Sequence, residues 1–149
     1  MCHSDFILFN LLLDNEKVVA INDFDNCKCL PKVHDLAEFL VSATILNYKG
    51  PVTNLKLPVL LSPALDKLKL VLTNYKELFD LNNNELLLLT VIAEIVWLWT
   101  LSLSVLKGDY TLLDIESALD VIKKHKFANL IKTEYEQLDY SNTSVGTAS

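Results

Sequence analysis

The pattern of hydrophobic and polar positions sets a short extended region at the N-terminus apart from the rest of the chain. Residues 11–13 are an apolar run, residues 14–16 have the polar composition of a tight turn, and residues 17–21 are rich in β-branched side chains. Strand, turn and strand in this order are typical of an antiparallel pair. The pattern therefore predicts a β-hairpin over residues 11–22.

From residue 33 onwards the apolar positions recur at the spacing of a helix rather than of a strand. The small, polar residues 141–149 are typical of a disordered tail. The sequence thus predicts one mainly α domain with a small N-terminal β-hairpin. Its five helices are expected at 33–47, 63–79, 84–106, 112–124 and 127–138.

The third of these helices is almost wholly apolar over residues 86–106 and contains one carboxylate, Glu94. Its length is enough to span a bilayer, which would describe a membrane-associated protein. A charge at mid-bilayer is costly, however, and a helix that is apolar all round is also typical of the centre of a core. The central core helix is the favoured interpretation, and Glu94 then needs a buried partner or a cleft.

The amino-acid composition argues against two classes of function. The net charge of -6 argues against a nucleic-acid binder, which should carry a basic stripe. All 13 basic residues are lysine, so the chain has no guanidinium for bidentate recognition of phosphate. This argues against a protein kinase that is switched by phosphorylation of its activation loop.

Three cysteines, Cys2, Cys27 and Cys29, are an odd count in a sequence without a secretory signal. A reduced, cytoplasmic compartment is the simplest interpretation. The pair at 27 and 29 has one histidine near it, His34, and no second cysteine pair. Zinc is therefore disfavoured by the ligand spacing.

Candidate chemistry is concentrated in the first 25 residues. Asp5 and Asn10 form an H-x-D-x-x-x-x-N pattern with His3, and Asp23 follows the predicted hairpin. Because Asn10 enters the hairpin and Asp23 leaves it, both should lie at the same end and could share one hard cation. Phosphoryl transfer needs a carboxylate that accepts the proton of the attacking hydroxyl and oxygen ligands that hold Mg²⁺ against the phosphates.

The stretch from residue 3 to residue 40 resembles the catalytic segment of the aminoglycoside phosphotransferase, choline kinase and homoserine kinase superfamily. That segment reads H-G-D-x-x-x-x-N, a strand pair, I-D-[FW]-[DE], and then D-L-A at the start of a helix. The chain departs from this pattern at Ser4, which replaces the usual glycine, and at Ile7, which replaces a polar residue of many members. The matching anchor points are His3-Ser4-Asp5, Asn10, Asn22-Asp23-Phe24-Asp25 and Asp35-Leu36-Ala37.

The resemblance implies a fold and a set of roles. Residues 1–140 would be the C-terminal lobe of a protein-kinase-like fold, with the catalytic loop at 3–10, the hairpin at 11–22, the metal loop at 23–25 and helices over 33–138. It implies ATP and Mg²⁺ as cofactors, and as acceptor a hydroxyl of a small molecule such as an amino alcohol or an aminoglycoside. The implied site residues are Asp5 as catalytic base, Asn10 and Asp23 as Mg²⁺ ligands, and His3, Asp25 and Asp35 as supporting residues.

In this superfamily a nucleotide-binding lobe precedes the catalytic segment, whereas here Met1 stands two residues before the motif. The sequence is therefore expected to be a fragment, to have a misassigned start, or to work with a separate chain that supplies this lobe, and it is expected to be a poor kinase by itself. The alternative is a catalytically inactive helical remnant or interaction module of the same fold.

Overall fold

The computed structural model describes residues 1–45, 64–108, 111–125 and 127–143 of the 149-residue chain. It confirms a mainly helical protein with a small two-stranded antiparallel sheet. Short 3₁₀ turns at Leu8–Asn10 and Phe24–Asn26 flank this sheet. The regular elements are β1 (Leu11–Asp14), β2 (Lys17–Ile21), α1 (Val33–Thr44), α2 (Leu65–Leu78), α3 (Asn83–Leu106), α4 (Leu112–His125) and α5 (Phe127–Thr143).

The hairpin turns through Asn15 and Glu16, whose φ angles are 46° and 66°. Two consecutive residues with positive φ are what a two-residue hairpin loop requires, because this turn matches the twist of the strands. The register shifts between Leu12 and Leu13, where β1 and β2 are locally out of step. The hairpin projects into solvent, and Leu13 and Val19 are 65% and 62% exposed.

The centre of the domain is α3, which packs against α1, α4 and α5. Asn82 caps its start, because the Asn82 side chain accepts the N–H groups of Asn84 and Glu85 while Glu85 bonds back to the Asn82 N–H. Every third or fourth side chain of α3 is buried, so that one stripe faces the core. This stripe consists of Leu86, Leu89, Ala93, Trp97 and Leu101.

The opposite side of α3 differs from the expectation of a helix buried all round. Large apolar side chains recur there at four-residue spacing and are exposed, among them Val91, Ile95 and Trp99. By length and composition, residues Asn83–Leu103 could also cross a membrane, a test that core helices of soluble proteins pass as well. Only one face of α3 is therefore buried in the core.

Glu94 has the partner that the sequence leaves open. Its Oε1 accepts the backbone N–H of Ala128 at 3.1 Å. Ala128 is the second residue of α5, where the first backbone N–H groups have no partner within their own helix. Glu94 thus caps α5 from α3 and joins the two helices.

Two helix ends differ from those predicted from the periodicity of hydrophobic positions. Helix α1 ends at Thr44, and the region 46–63, which includes the predicted start of the second helix, lies outside the described residues. At the other end of the chain α5 continues to Thr143, five residues beyond the predicted end of this helix at residue 138. Residues 144–149 lie outside the described residues.

Candidate functional site

The loop that carries Asp5 is attached to α1 by a row of hydrogen bonds. Both oxygens of Asp35 accept backbone N–H groups, Oδ2 from His3 at 2.9 Å and Oδ1 from Ser4 at 3.0 Å. Further along the same helix, Glu38 Oε2 accepts the N–H of Phe6 at 2.9 Å. These bonds fix the backbone on either side of Asp5.

The row continues at Ser42, whose hydroxyl accepts the N–H of Leu8 at 3.3 Å. The three acceptors on α1 are three and four residues apart and so lie on one face of the helix. Three of the four donors, Ser4, Phe6 and Leu8, are alternate residues of the loop. Successive donors therefore meet successive acceptors along one face of α1.

His3 joins the loop to the far end of the hairpin. Its Nε2 donates to the carbonyl oxygen of Asn22 at 2.7 Å, because a carbonyl can only accept. The ring is buried and meets Phe24 edge-on, with 4.7 Å between the ring centroids. A side chain of the loop at residues 3–10 therefore holds the residue that precedes Asp23.

Asp5 and Asn10 are in direct contact. The amide nitrogen of Asn10 donates to Oδ2 of Asp5 at 2.9 Å and to the Asp5 carbonyl oxygen at 2.8 Å. This contact orients both groups, and no described residue donates to Oδ1 of Asp5 or to Oδ1 of Asn10. The Asn10 carbonyl oxygen in turn accepts the N–H of Asn22 at 2.8 Å, so Asn10 and Asp23 lie at the same end of the hairpin.

Asp23 and Asp25 are exposed. Asp23 has φ 64° and ψ 57°, a left-handed conformation that aspartate tolerates better than most residues. Within the described part of the chain neither carboxylate makes a hydrogen bond or an ion pair. The structure therefore brings His3 into contact with Asp35 and Asp5 into contact with Asn10, and it leaves the carboxylates of Asp23 and Asp25 outside these hydrogen bonds.

Ser4 also lies in the left-handed region, with φ 62°. Its hydroxyl is buried and has no hydrogen-bond partner. The position that departs from glycine in the sequence pattern is thus one at which the backbone conformation favours glycine.

The electrostatics of the α1 face are dominated by carboxylates. Burial raises the pKa of Glu38, while the Phe6 N–H and the nearby His34 act in the opposite direction. His34 Nδ1 lies 3.7 Å from Glu38 Oε1, and ligand atoms of His34, Asp35 and Glu38 all lie within 4.8 Å of one another. Since Asp35 and Glu38 already accept backbone N–H groups, this cluster anchors the loop.

Hard oxygen ligands remain at the hairpin end. Asn10 Oδ1 and the Asp23 carboxylate have no described donors and are the oxygen types that Mg²⁺ prefers. The donor set therefore fits the ion that the sequence pattern implies.

The sequence interpretation missed Glu38 and Ser42. The only signal available was their spacing from Asp35, at three and seven residues along one helix. Polar residues at this spacing usually form a solvated face, and a donor segment more than 30 residues away is not visible in the pattern.

Comparisons with models of protein families, with curated proteins and with solved structures found no match for this chain.

Proposed function

We propose that residues 3–25 are the phosphoryl-transfer site of a small-molecule kinase. The fold would be the C-terminal lobe of a protein-kinase-like domain, similar to that of the aminoglycoside phosphotransferase superfamily. The observation that carries the proposal is the contact between Asp5 and Asn10 at 2.9 Å, at the end of the hairpin from which Asp23 emerges. A carboxylate and an amide held in this way have the roles that phosphoryl transfer needs.

In this proposal Asp5 is the base. Its Oδ2 is held by the Asn10 amide, and Oδ1 accepts the proton of the acceptor hydroxyl. Asn10 Oδ1 and Asp23 would hold Mg²⁺, which when bound with ATP neutralises charge on the phosphates. Asp35 and His3 position these groups, the first through the loop backbone and the second through Asn22.

The acceptor would be a small molecule with a hydroxyl group, an amino alcohol or an aminoglycoside. The net charge of -6 favours a cationic acceptor over an anionic one through long-range attraction. Positioning and charge neutralisation supply most of the rate in this chemistry. A bound nucleotide must therefore be held on its other side as well, by a further lobe or chain.

A second candidate function is that of an interaction module. The observation that favours it is the exposed apolar surface of the hairpin, where Leu13, Val18, Val19 and Phe24 are all more than half exposed. A patch of this kind is typical of a contact with another protein surface. The two functions are compatible if that surface belongs to a partner that completes the nucleotide site.

The test combines binding and turnover on the purified chain. Calorimetry with ATP should show binding that requires Mg²⁺ and is lost in Asp23→Asn, while the matched exposed substitution Asp66→Asn on α2 should leave it unchanged. A coupled assay with amino-alcohol and aminoglycoside acceptors should give turnover well below roughly one per second, the lower limit of ordinary kinases.

Asp5→Asn should abolish this turnover and leave nucleotide binding intact, because Asp5 is not assigned to the metal. Absence of Mg²⁺-dependent nucleotide binding would reject the assignment of Asn10 and Asp23 as a metal–nucleotide site of this chain and would favour the interaction module. Turnover at ordinary kinase rates that disappears in Asp5→Asn would support the site and show that 149 residues suffice.

A further inference from the structure

A trough of about 660 Å³ lies between α1 and α2 and is closed on a third side by the loop residues Phe6 and Leu8. This volume is within the range of about 300–1,000 Å³ that is usual for small-molecule sites. Its apolar wall comprises Phe6, Leu8, Leu36, Phe39, Ala43, Leu70, Val71 and Leu78.

The two helices that form the trough are antiparallel, because the Ala64 N–H at the start of α2 donates to the Thr44 carbonyl at the end of α1. The lining residues of α1 extend from Lys32 to Ala43, which is roughly 16 Å along the helix axis. The lining residues of α2 extend from Lys67 to Leu78. The trough is therefore long and narrow, and among the described lining residues each end carries one lysine.

The lysines at the two ends of the trough differ in whether a carboxylate pairs with them. Lys32 pairs with Glu85 at 2.9 Å, and Asp35 lies at the same end, so that end is already neutralised. At the other end no described carboxylate lies within ion-pair distance of Lys67. Lys67 is also in the first turn of α2, where the helix dipole favours an anion, and Ala64 at the N-cap has no side chain to accept the first N–H groups.

We propose that this trough is a binding site for a long-chain carboxylic acid, with the alkyl chain along the α1–α2 walls and the carboxylate at Lys67. The apolar walls fit an alkyl chain, and the exposed wall residues Leu70 and Leu78, 63% and 76% exposed, would be covered by it. A single lysine without arginine suits a monoanion better than a phosphate, which is usually held bidentately.

The site is distinct from the phosphotransfer site and does not depend on it. Asp35, which positions the loop, lines the trough together with Phe6 and Leu8, whereas Asp5, Asn10 and Asp23 are not among the lining residues. The nucleotide chemistry could therefore fail while the trough still binds its ligand, and the reverse also holds.

The test is a fluorescence titration of the full chain with cis-parinaric acid, a long-chain polyene acid that fluoresces in apolar surroundings. Binding should be saturable at one equivalent, and unlabelled palmitate should displace the probe. Lys67→Gln should weaken binding at least threefold, while Lys69→Gln, the same change two residues away and outside the trough, should have no effect. Leu70→Asp places a second carboxylate in the wall at an exposed position and should abolish binding.

Four results would overturn the proposal. The first is the absence of saturable binding, the second is equal binding of the methyl ester, and the third is equal binding by Lys67→Gln. The fourth is concentration-dependent self-association in light scattering that Leu70→Asp abolishes and palmitate does not affect, because the trough would then be a contact between two copies of the chain.

Discussion

Replacing Asp35 by asparagine tests how the loop at residues 3–8 is held against α1. Both carboxylate oxygens of Asp35 accept a backbone N–H, from His3 and from Ser4. An amide keeps one acceptor and turns an N–H₂ group towards the other donor. The variant thus loses one hydrogen bond to a charged acceptor and strands a half-buried backbone N–H.

The magnitude follows from those two losses. A hydrogen bond to a charged group contributes about 1.5–3 kcal/mol, and an unpaired buried donor costs about 1–3 kcal/mol, which partly overlaps with the first. We expect Asp35→Asn to lower the free energy of unfolding by about 3 kcal/mol. For a chain of this length that corresponds to a decrease in Tm of roughly 6–12 °C.

Glu38→Gln is the matched control on the same face of α1. The Phe6 N–H bonds to Oε2 of Glu38, and a glutamine oxygen can replace that single acceptor. The variant should stay within about 0.5 kcal/mol of the wild type at neutral pH. Asp66→Asn, in the first turn of α2, measures the loss of a helix-dipole charge alone, about 0.3–1 kcal/mol.

The assay is urea unfolding of the three variants, together with hydrogen exchange of the amides of residues 3 and 4. Exchange of these two amides should accelerate in Asp35→Asn and not in Glu38→Gln. If Asp35→Asn and Glu38→Gln lower stability equally, or if Asp35→Asn matches Asp66→Asn, the paired acceptor geometry does not hold the loop and the reasoning fails.

Three further predictions concern single positions. Ser4→Gly should raise the free energy of unfolding in urea by about 1 kcal/mol, because it removes a left-handed φ and a buried hydroxyl without a partner. These gains should exceed the conformational entropy that glycine adds to the unfolded state. A lower stability of the variant would refute the strain at Ser4. Glu94→Leu should cost about 1 kcal/mol and accelerate exchange of the Ala128 amide, and unchanged exchange would show that Glu94 does not cap α5. Burial raises the pKa of Glu38 above the ordinary 4.5, so the folded state binds its proton more tightly, and stability falls as pH rises through the window above 4.5. The stability of wild type relative to Glu38→Gln should therefore decrease between pH 4.5 and 7 in urea unfolding, and an increase would contradict the burial.

The secondary-structure elements could be predicted where the periodicity of hydrophobic positions in the sequence agrees with the packing. Strand, turn and strand over residues 11–22 and the later helical stripes follow from side-chain alternation, and the structure has them. The turn at Asn15 and Glu16 required only local chemistry. The asparagines before Glu85 likewise predicted the start of α3, because a helix cap is formed by residues that are close to each other in the chain.

What depends on distant contacts could not be predicted. The sequence of α3 is apolar on every side, and only the packed helices determine that Trp97 is buried while Trp99 is 65% exposed. The role of Glu94 required the position of Ala128, and the roles of Glu38 and Ser42 required the path of a loop more than 30 residues earlier. The predicted helix ends were wrong where no helix-breaking residue follows, as in α5, which continues through residues 141–143.

The row of hydrogen bonds between the loop and α1 has a consequence for the order of folding. The bonded residues are 31–34 positions apart, so the loop has no partner on α1 until that helix has been synthesised and formed. At a ribosomal rate of about 5–20 residues per second, residues 3–8 wait roughly 2–7 s for their acceptors. Because contacts between residues this far apart also require the closure of a long loop, we predict that they are largely absent from the folding transition state and that substitutions at Asp35 accelerate unfolding far more than they slow folding. The half-life of the assembled site would then be set by how rapidly residues 3–8 detach from α1.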